Sequence, residues 1–345
     1  MFGCRKLLKF RPNKSTGKSD VSASWFATGS LGLLLALWSA CAGAPGRASD
    51  LQKLDLQGHR GARGLAPENT WPAFQKAIEY KMSTLELDTV LTKDDQIVVH
   101  HDSETNPVLC QNDDGTPIES RSLYNLTLAQ LQQLDCGTLV NPKFTRQQNA
   151  PKTRLLSIGE FFQRVHKERP ASGPALRFNI ETKFPGDANA TVAAARMEKH
   201  VQKLLAAISG ADEIANTTIQ SFYLPALLAV REQNRTIKTS ALFAPSYFQG
   251  FLMLAGFGDG AREDILERAH ASGVNIISPY YLYVTPGFVR QAHKYNMQVV
   301  PWTVNDAAEM KRLIQCGVDG IISDYPDVLR RVVDQLQAGQ SVSFQ

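Results

Sequence analysis

Short runs of apolar and β-branched residues alternate with amphipathic, helix-like stretches from residue 54 onward. This alternation is typical of βα units, in which each parallel strand is followed by a crossover helix. The predicted strands are 54–59, 84–90, 177–182, 217–222, 238–243, 274–278, 298–303 and 319–323. Eight such strands predict an α/β fold, a (β/α)8 TIM barrel, and a doubly wound open sheet is the alternative.

Helical periodicity follows most of these strands. The predicted helices are 70–80, 189–208, 224–233, 262–271, 286–295, 307–315 and 327–336. A ninth strand-like run, 97–101, is separated from the second strand only by 92–96. Because a parallel crossover needs about a dozen residues or more, this run is predicted to fold back as a hairpin that brings His101 to the barrel rim.

The barrel pattern is interrupted between residues 102 and 157, where Asn, Asp, Gly, Pro and Gln are frequent. A stretch of this length without regular structure is predicted to be an insertion, with one short helix at 128–134. The insertion follows the hairpin, so we expect it beside the face on which barrel enzymes place their active sites.

The N-terminal 48 residues are predicted to be an export signal outside the barrel domain. A basic stretch precedes an apolar run at 25–40 and small residues follow it, as in secretory signals, and an uncleaved anchor is the alternative. Cys41 ends the apolar run like the lipidated cysteine of a bacterial lipoprotein, and cleavage after Ala42 or Ala48 competes with that interpretation. The predicted barrel domain is 49–338, with a C-terminal tail at 339–345. We therefore expect an exported bacterial protein, periplasmic or anchored to the membrane through Cys41.

Composition is that of an ordinary globular protein, with 43% apolar and 20% charged residues in a chain of 345. The first 48 residues carry seven Lys and Arg against one Asp, so the net charge of +4 becomes −2 without them. The basic character belongs to the predicted signal, and it gives no reason to expect a nucleic-acid partner.

Three cysteines lie in the predicted domain, Cys110, Cys136 and Cys316. Outside the cytoplasm, Cys110 and Cys136 could close one long loop as a disulfide, and three free thiols are the alternative. No CxxC spacing indicates a zinc or redox site.

Polar side chains occur near the ends of several predicted strands, and in a barrel these ends meet at one mouth. Glu86 and Asp88 lie two residues apart on one strand and so point to the same face, and Glu181 and Lys183 do the same on another. Three carboxylates on one patch repel each other unless a cation holds them together, and oxygen ligands suit Ca²⁺ or Mg²⁺.

The histidines at this mouth indicate acid/base chemistry. Hydrolysis of a phosphodiester requires one group to deprotonate the nucleophile and another to protonate the leaving alkoxide, and His59 and His101 could share these tasks near neutral pH. Arg60 and Lys183 would supply the positive charge that a phosphate needs. The combination predicts a metal-dependent phosphodiesterase.

The ordered set of motifs resembles the glycerophosphodiester phosphodiesterase family over residues 55–329. These motifs are GHRG at 58–61, PENT at 67–70, LELD at 85–88, VVHHD at 98–102, NIETK at 179–183, QSF at 220–222, PWTVN at 301–305 and DGIISD at 319–324. The resemblance implies a barrel like that of phosphatidylinositol phospholipase C. It implies hydrolysis of small glycerophosphodiesters to sn-glycerol 3-phosphate and an alcohol.

The resemblance also implies a role for each matched residue. His59 and His101 would be the acid/base pair, Arg60 would contact the phosphate, and Glu86, Asp88 and Glu181 would bind the cation. Four further residues would bind or position the substrate: Lys183, Glu68, Phe222 and Trp302. For the two aromatic residues, packing is an equal alternative.

Two other functions stay open from the sequence. A phospholipase-type activity on intact lipids could use the same site, and exposed aromatic residues around the mouth would favour it. A non-catalytic exported binding lipoprotein is the third candidate, although a binder has no need of two histidines in an acid/base arrangement. The sequence does not predict the alcohol, the metal, the oligomeric state, or whether water or a glycerol hydroxyl attacks first.

Overall fold

The computed structural model describes residues 51–169, 175–184 and 190–339. The predicted signal, including Cys41, and the C-terminal tail from residue 340 lie outside the described residues. No helix among the described ranges combines the length and the apolar character that a membrane span requires.

The described residues form nine strands: β1 Asp55–Gly58, β2 Thr84–Leu91, β3 Ile97–Val99, β4 Arg177–Thr182, β5 Thr217–Ser221, β6 Lys238–Phe243, β7 Ile276–Pro279, β8 Gln298–Val299 and β9 Gly320–Ser323. They form one sheet in the order β8-β7-β6-β5-β4-β2-β1-β9, with β3 paired to β2. All ladders are parallel except β2–β3, which is antiparallel with Thr89 opposite Val99. The predicted hairpin is therefore confirmed.

The sheet is nearly closed into a barrel, which confirms the predicted fold over the open sheet. Backbone bonds join the segment after β8 to β9: the Asp319 amide donates to the Val299 carbonyl at 2.9 Å and the Ile322 amide to the Pro301 carbonyl at 3.0 Å. Strand β8 is shorter than predicted. Pro301 lacks the amide that a continuing ladder would use.

Helices follow most of the strands on the outside of the barrel, and one short helix lies in the insertion. They are α1 Trp71–Glu79, α2 Leu128–Leu131, α3 Ile158–Glu168, α4 Ala190–Gly210, α5 Leu224–Gln233, α6 Tyr247–Leu254, α7 Asp259–Ala271, α8 Pro286–Lys294, α9 Ala307–Cys316 and α10 Pro326–Gln337. Two of them, α3 and α6, were not predicted from the sequence. Helix α3 provides the crossover from the hairpin to β4, and its first turn is held by a capping box between Ser157 and Glu160.

The barrel is stabilised by aromatic packing on its outer face. Four phenylalanine rings pack edge-on, with centroids 4.8–5.7 Å apart. Phe161 of α3 contacts Phe74 of α1, and both Phe161 and its neighbour Phe162 contact Phe178 of β4. All four side chains are almost fully buried. This cluster fixes α1 and α3 against the strands that carry the polar residues of the mouth.

The insertion packs beside the barrel as a small subdomain. Cys110 and Cys136 form a disulfide within it, with their Cα atoms 4.0 Å apart. Leu123 and Leu131 are buried, and the predicted short helix is present as α2. The alternative of free thiols at Cys110 and Cys136 is therefore wrong.

Candidate active site

The turn after β1 packs so closely that two of its positions have no room for a Cβ atom. Arg60 and Gly61 both have positive φ, 49° and 80°. A Cβ at Gly61 would lie 2.6 Å from the Ala73 carbonyl carbon, and one at Gly58 would lie 2.1 Å from the Gly61 carbonyl oxygen. The glycines of the GHRG motif thus let the turn pack under α1, and the turn places His59 and Arg60 at the mouth.

Three buried carboxylates from two adjacent strands meet at this mouth. Glu86 and Asp88 lie on β2 and Glu181 lies on β4, with Asp88 paired to Glu181 in register. One oxygen from each lies within 4.8 Å of the others. The sequence predicted this cluster, and the parallel pairing of β2 with β4 creates it.

The electrostatics of the cluster fit a divalent cation. Burial, together with Asp88 and Glu181, raises the pKa of Glu86 well above its usual range. Burial also raises the pKa of Glu181 to about 7, although Lys183 opposes the shift. Burial acts in the same direction on Asp88, but Lys183 and Arg60 outweigh it and hold the pKa of Asp88 well below its usual range. Hard oxygen ligands with this excess of negative charge match Ca²⁺ or Mg²⁺.

Two cations border the carboxylates. Lys183 Nζ lies 2.5 Å from Glu181 Oε1 and 3.3 Å from Asp88 Oδ1. Arg60 pairs with Glu68 at 2.5 Å, and its Nε lies 3.2 Å from Asp88. Glu68 therefore holds the guanidinium of Arg60 in place, and a contact of Glu68 with substrate stays a prediction.

His59 is buried, and Asp324, a residue near the end of the chain, holds its ring in place. Its Nδ1 lies 2.6 Å from Asp324 Oδ1, and its Nε2 lies 3.9 Å from Glu86 Oε2. Burial, helped by Arg63, lowers the pKa of His59 to about 4, against the opposite effect of Asp324. His59 is therefore neutral at pH 7, the state in which an imidazole can accept a proton.

His101 comes from the hairpin that leads into the insertion. Its Nδ1 lies 2.7 Å from Asp102 Oδ1. Burial and the nearby Arg60 lower the pKa of His101, while Asp88 acts in the opposite direction. His101 thus lies close enough to the cluster of charges to respond to it, and proton transfer through its Nε2 stays a prediction.

The predicted aromatic residues, Phe222 and Trp302, form one wall of the mouth. Their rings pack edge-on with centroids 5.4 Å apart. Phe222 is 46% exposed, and its ring lies 5.9 Å from Lys183 Nζ. The Trp302 indole donates to the Ser278 carbonyl at 2.9 Å. Packing thus explains Trp302 in part, and a contact of either ring with substrate stays a prediction.

Three positioning residues were not found from the sequence. Asp324 accepts hydrogen bonds from Arg63 at 2.5 Å and Asn305 at 2.7 Å in addition to its contact with His59. Asn69, with φ of 56°, donates to Asp88 at 2.9 Å. Gln220 donates to Glu86 at 2.7 Å. Each lies inside a matched motif, and that was the only signal that marked it.

Comparison with known proteins decides the family. The sequence model of the glycerophosphoryl diester phosphodiesterase family matches residues 59–328. The chain belongs to this family. YhdW of Bacillus subtilis is 30% identical over 272 residues, which are 79% of this chain and 94% of that relative. A glycerophosphodiester phosphodiesterase of the same organism is 28% identical over 278 residues, covering 79% and 84%. The prediction of an enzyme of this family is confirmed.

Solved structures support the same fold. A crystal structure from Silicibacter pomeroyi DSS-3 superimposes with a TM-score of 0.72 at 26% identity, covering 87% of this chain and 98% of the other. An Oleispira antarctica phosphodiesterase, solved in complex with the product sn-glycerol-3-phosphate, has a TM-score of 0.62 at 20% identity, covering 83% and 99%. At that identity the second likeness concerns the barrel alone.

Proposed function

We propose that the chain hydrolyses glycerophosphodiesters to sn-glycerol 3-phosphate and an alcohol in a reaction that depends on a divalent cation. One observation carries the proposal. The oxygens of Glu86, Asp88 and Glu181 lie within 4.8 Å of one another, and two histidines beside them are each held by a carboxylate through Nδ1. The Oleispira phosphodiesterase, which binds sn-glycerol-3-phosphate, shares the barrel.

The arrangement assigns separate tasks to the side chains of this chain. One imidazole takes the proton from the attacking hydroxyl, and the other gives a proton to the alkoxide that leaves phosphorus. Arg60 and Lys183 lie where they can neutralise the charge on the non-bridging oxygens. A cation held by the three carboxylates would polarise a phosphoryl oxygen when bound.

A binding lipoprotein without catalysis is the weaker candidate. A site that only binds phosphate gains nothing from histidines whose second nitrogen is fixed by Asp324 and Asp102. Export to an oxidising compartment is part of the proposal. The Cys110–Cys136 disulfide supports it, because such bonds persist outside the reducing cytoplasm.

The test is an assay of sn-glycerol 3-phosphate released from glycerophosphocholine and glycerophosphoethanolamine. Chelation should abolish turnover, and Ca²⁺ or Mg²⁺ should restore it. Glu181→Gln keeps the size of the side chain and removes one charge, so it should weaken cation binding measured by calorimetry. Full turnover in excess chelator, with no metal detected in the protein, would contradict the role of the cation.

A further inference from the structure

Helix α6 exposes an aromatic surface on the active-site side of the barrel. Its members, Tyr247, Phe248, Phe251 and the following Phe257, are 81%, 70%, 66% and 76% exposed. Helix α7 already provides the crossover from β6 to β7, so α6 is additional to the repeating βα unit. Because α6 follows the carboxyl end of β6, it lies at the same end of the barrel as the carboxylate cluster.

The segment that carries this surface is anchored to the barrel and lacks charge. Met253 is buried, and a capping box between Ser246 and Gln249 holds the start of the helix. No charged residue occurs between Lys238 and Asp259. Apolar side chains on a defined helix are thus held in contact with solvent, which marks a surface for interaction.

A chain of aromatic rings and a cavity connect this surface with the catalytic centre. Phe222, Trp302, Tyr280 and Tyr281 follow one another with centroids 4.5–5.7 Å apart. A cavity of about 480 Å³ is lined by residues that include Leu254 of α6, Tyr281 and Thr303. Thr303 Oγ1 lies 3.5 Å from His59 Nδ1. The helix that carries the aromatic surface therefore lines, through Leu254, a cavity that also reaches Thr303 beside His59.

We propose that the aromatic surface docks the active-site face on a lipid bilayer, where the site receives phosphodiesters that carry an acyl chain. The substrate part of this proposal rests on the proposed function. An uncharged, aromatic-rich helix suits the interfacial region of a bilayer, in which aromatic rings are enriched. A soluble diester diffuses to the site unaided and gives no reason for this surface.

The size of the surface favours a bilayer over a second copy of the chain. An aromatic side chain offers roughly 150–250 Å², so four of them at 66–81% exposure present about 600 Å². A stable protein interface needs about 800 Å² from each partner. Insertion into a bilayer has no such threshold, because binding grows with each apolar group that is buried.

The first test locates the contact on the full-length protein. Hydrogen exchange followed by mass spectrometry is measured with and without vesicles of phosphatidylcholine and phosphatidylethanolamine. We expect vesicles to slow hydrogen exchange of the amides in residues 246–258 and to leave the exchange of α5 unchanged. This result should not depend on whether the N-terminal segment is cleaved or lipidated. Absence of protection in 246–258 would overturn the proposal. Protection that grows with protein concentration without vesicles would overturn it in favour of a second copy.

The second test uses matched variants. The triple variant Phe248→Ser, Phe251→Ser, Phe257→Ser should lose the protection and lower turnover of lysophosphatidylcholine in vesicles by roughly tenfold or more. Its turnover of soluble glycerophosphocholine should stay at the wild-type rate. The control replaces two exposed apolar residues on other helices, Val192 of α4 and Leu228 of α5, with Ser and should change neither rate.

The outcomes separate the two proposals. If the triple variant hydrolyses vesicle lysophosphatidylcholine at the wild-type rate, or if the wild type does not hydrolyse it, docking for an acylated substrate is wrong. If neither protein hydrolyses any diester while vesicles still protect 246–258, the proposed function fails and the docking surface stands.

Discussion

The regions around His59 and His101 supply the same kind of ring to the site but hold it in opposite ways. His59 is buried and bound by Asp324, a residue 265 positions away in the chain. The side chain of His101 is 30% exposed and is bound by Asp102, its immediate neighbour. One histidine depends on closure of the barrel between β1 and β9, and the other depends on a local turn at the edge of the insertion.

This difference indicates which parts of the site can vary independently. Asp324, which holds His59, also accepts hydrogen bonds from Arg63 and Asn305. The position of His59 therefore depends on segments that follow β1, β8 and β9. The His101 clamp involves Asp102, whose other oxygen accepts from Asn106 in the insertion. Changes in the insertion can thus reposition His101 while the environment of His59 stays the same.

The largest expected effect is the loss of either ring. His59→Ala and His101→Ala should each lower kcat by roughly 10²–10⁴-fold, because each removes a proton-transfer group from the transition state. The measurement is steady-state release of sn-glycerol 3-phosphate, with cation binding by calorimetry as the control for an intact carboxylate cluster. Near-normal turnover of either variant would contradict the pairing of the two histidines.

Removing the charge of Asp324 should lower kcat more than removing the charge of Asp102. Asp324→Asn should lower kcat by about 10–100-fold, because a buried outer partner fixes the tautomer of His59. Asp102→Asn should cost less than about tenfold, since Asp102 is 35% exposed and water screens its charge. Comparison of kcat for the two variants decides the point. Equal losses would show that burial does not distinguish the clamps.

The lowered pKa of His59 predicts how the stability of the fold and the charge of this buried histidine change with pH. A folded pKa of about 4, below the ordinary 6.5, means that His59 stabilises the fold fully above pH 6.5. This contribution is lost as the pH falls toward 4, because protons then bind the unfolded chain first. NMR titration of the metal-free protein should show His59 changing charge near pH 4. Arg63→Gln should raise the pKa of His59, since Arg63 lowers it, and Asp324→Asn should lower that pKa further.

The smallest effect on turnover is expected at His200, a buried histidine outside the site. Its Nε2 lies 3.1 Å from Thr89 Oγ1, and burial lowers its pKa to about 3. Its stabilising contribution is present above pH 6.5 and is lost as the pH falls toward 3, a change of roughly a few kcal/mol. His200→Leu should leave kcat unchanged and flatten the fall of the free energy of unfolding in acid. Chemical denaturation at several pH values measures this slope. Unchanged acid sensitivity would contradict the assignment.

The sequence predicted the strands and the carboxylate cluster more completely than it predicted the helices. The strands, the hairpin and the carboxylate cluster follow from periodicity, because side chains two apart on a strand share a face. Helix α6 was not predicted because it is apolar on several sides. It therefore lacks the amphipathic pattern, with one apolar and one polar face, of a helix on the outside of a barrel. Helix α3 carries a readable capping signal at Ser157 and Glu160, but it directly follows the irregular insertion.

The sequence by itself determined the barrel, the residue types of the mouth and the family, since these depend on local pattern and on the order of motifs. Only the tertiary structure decided that Asp324 and not a nearer residue clamps His59, that Glu68 holds Arg60, and that an aromatic surface lies beside the mouth. The physical reason is that a contact between residues far apart in the chain is set by how the sheet closes. Exposure is likewise a property of the packed molecule, and the linear pattern does not carry it.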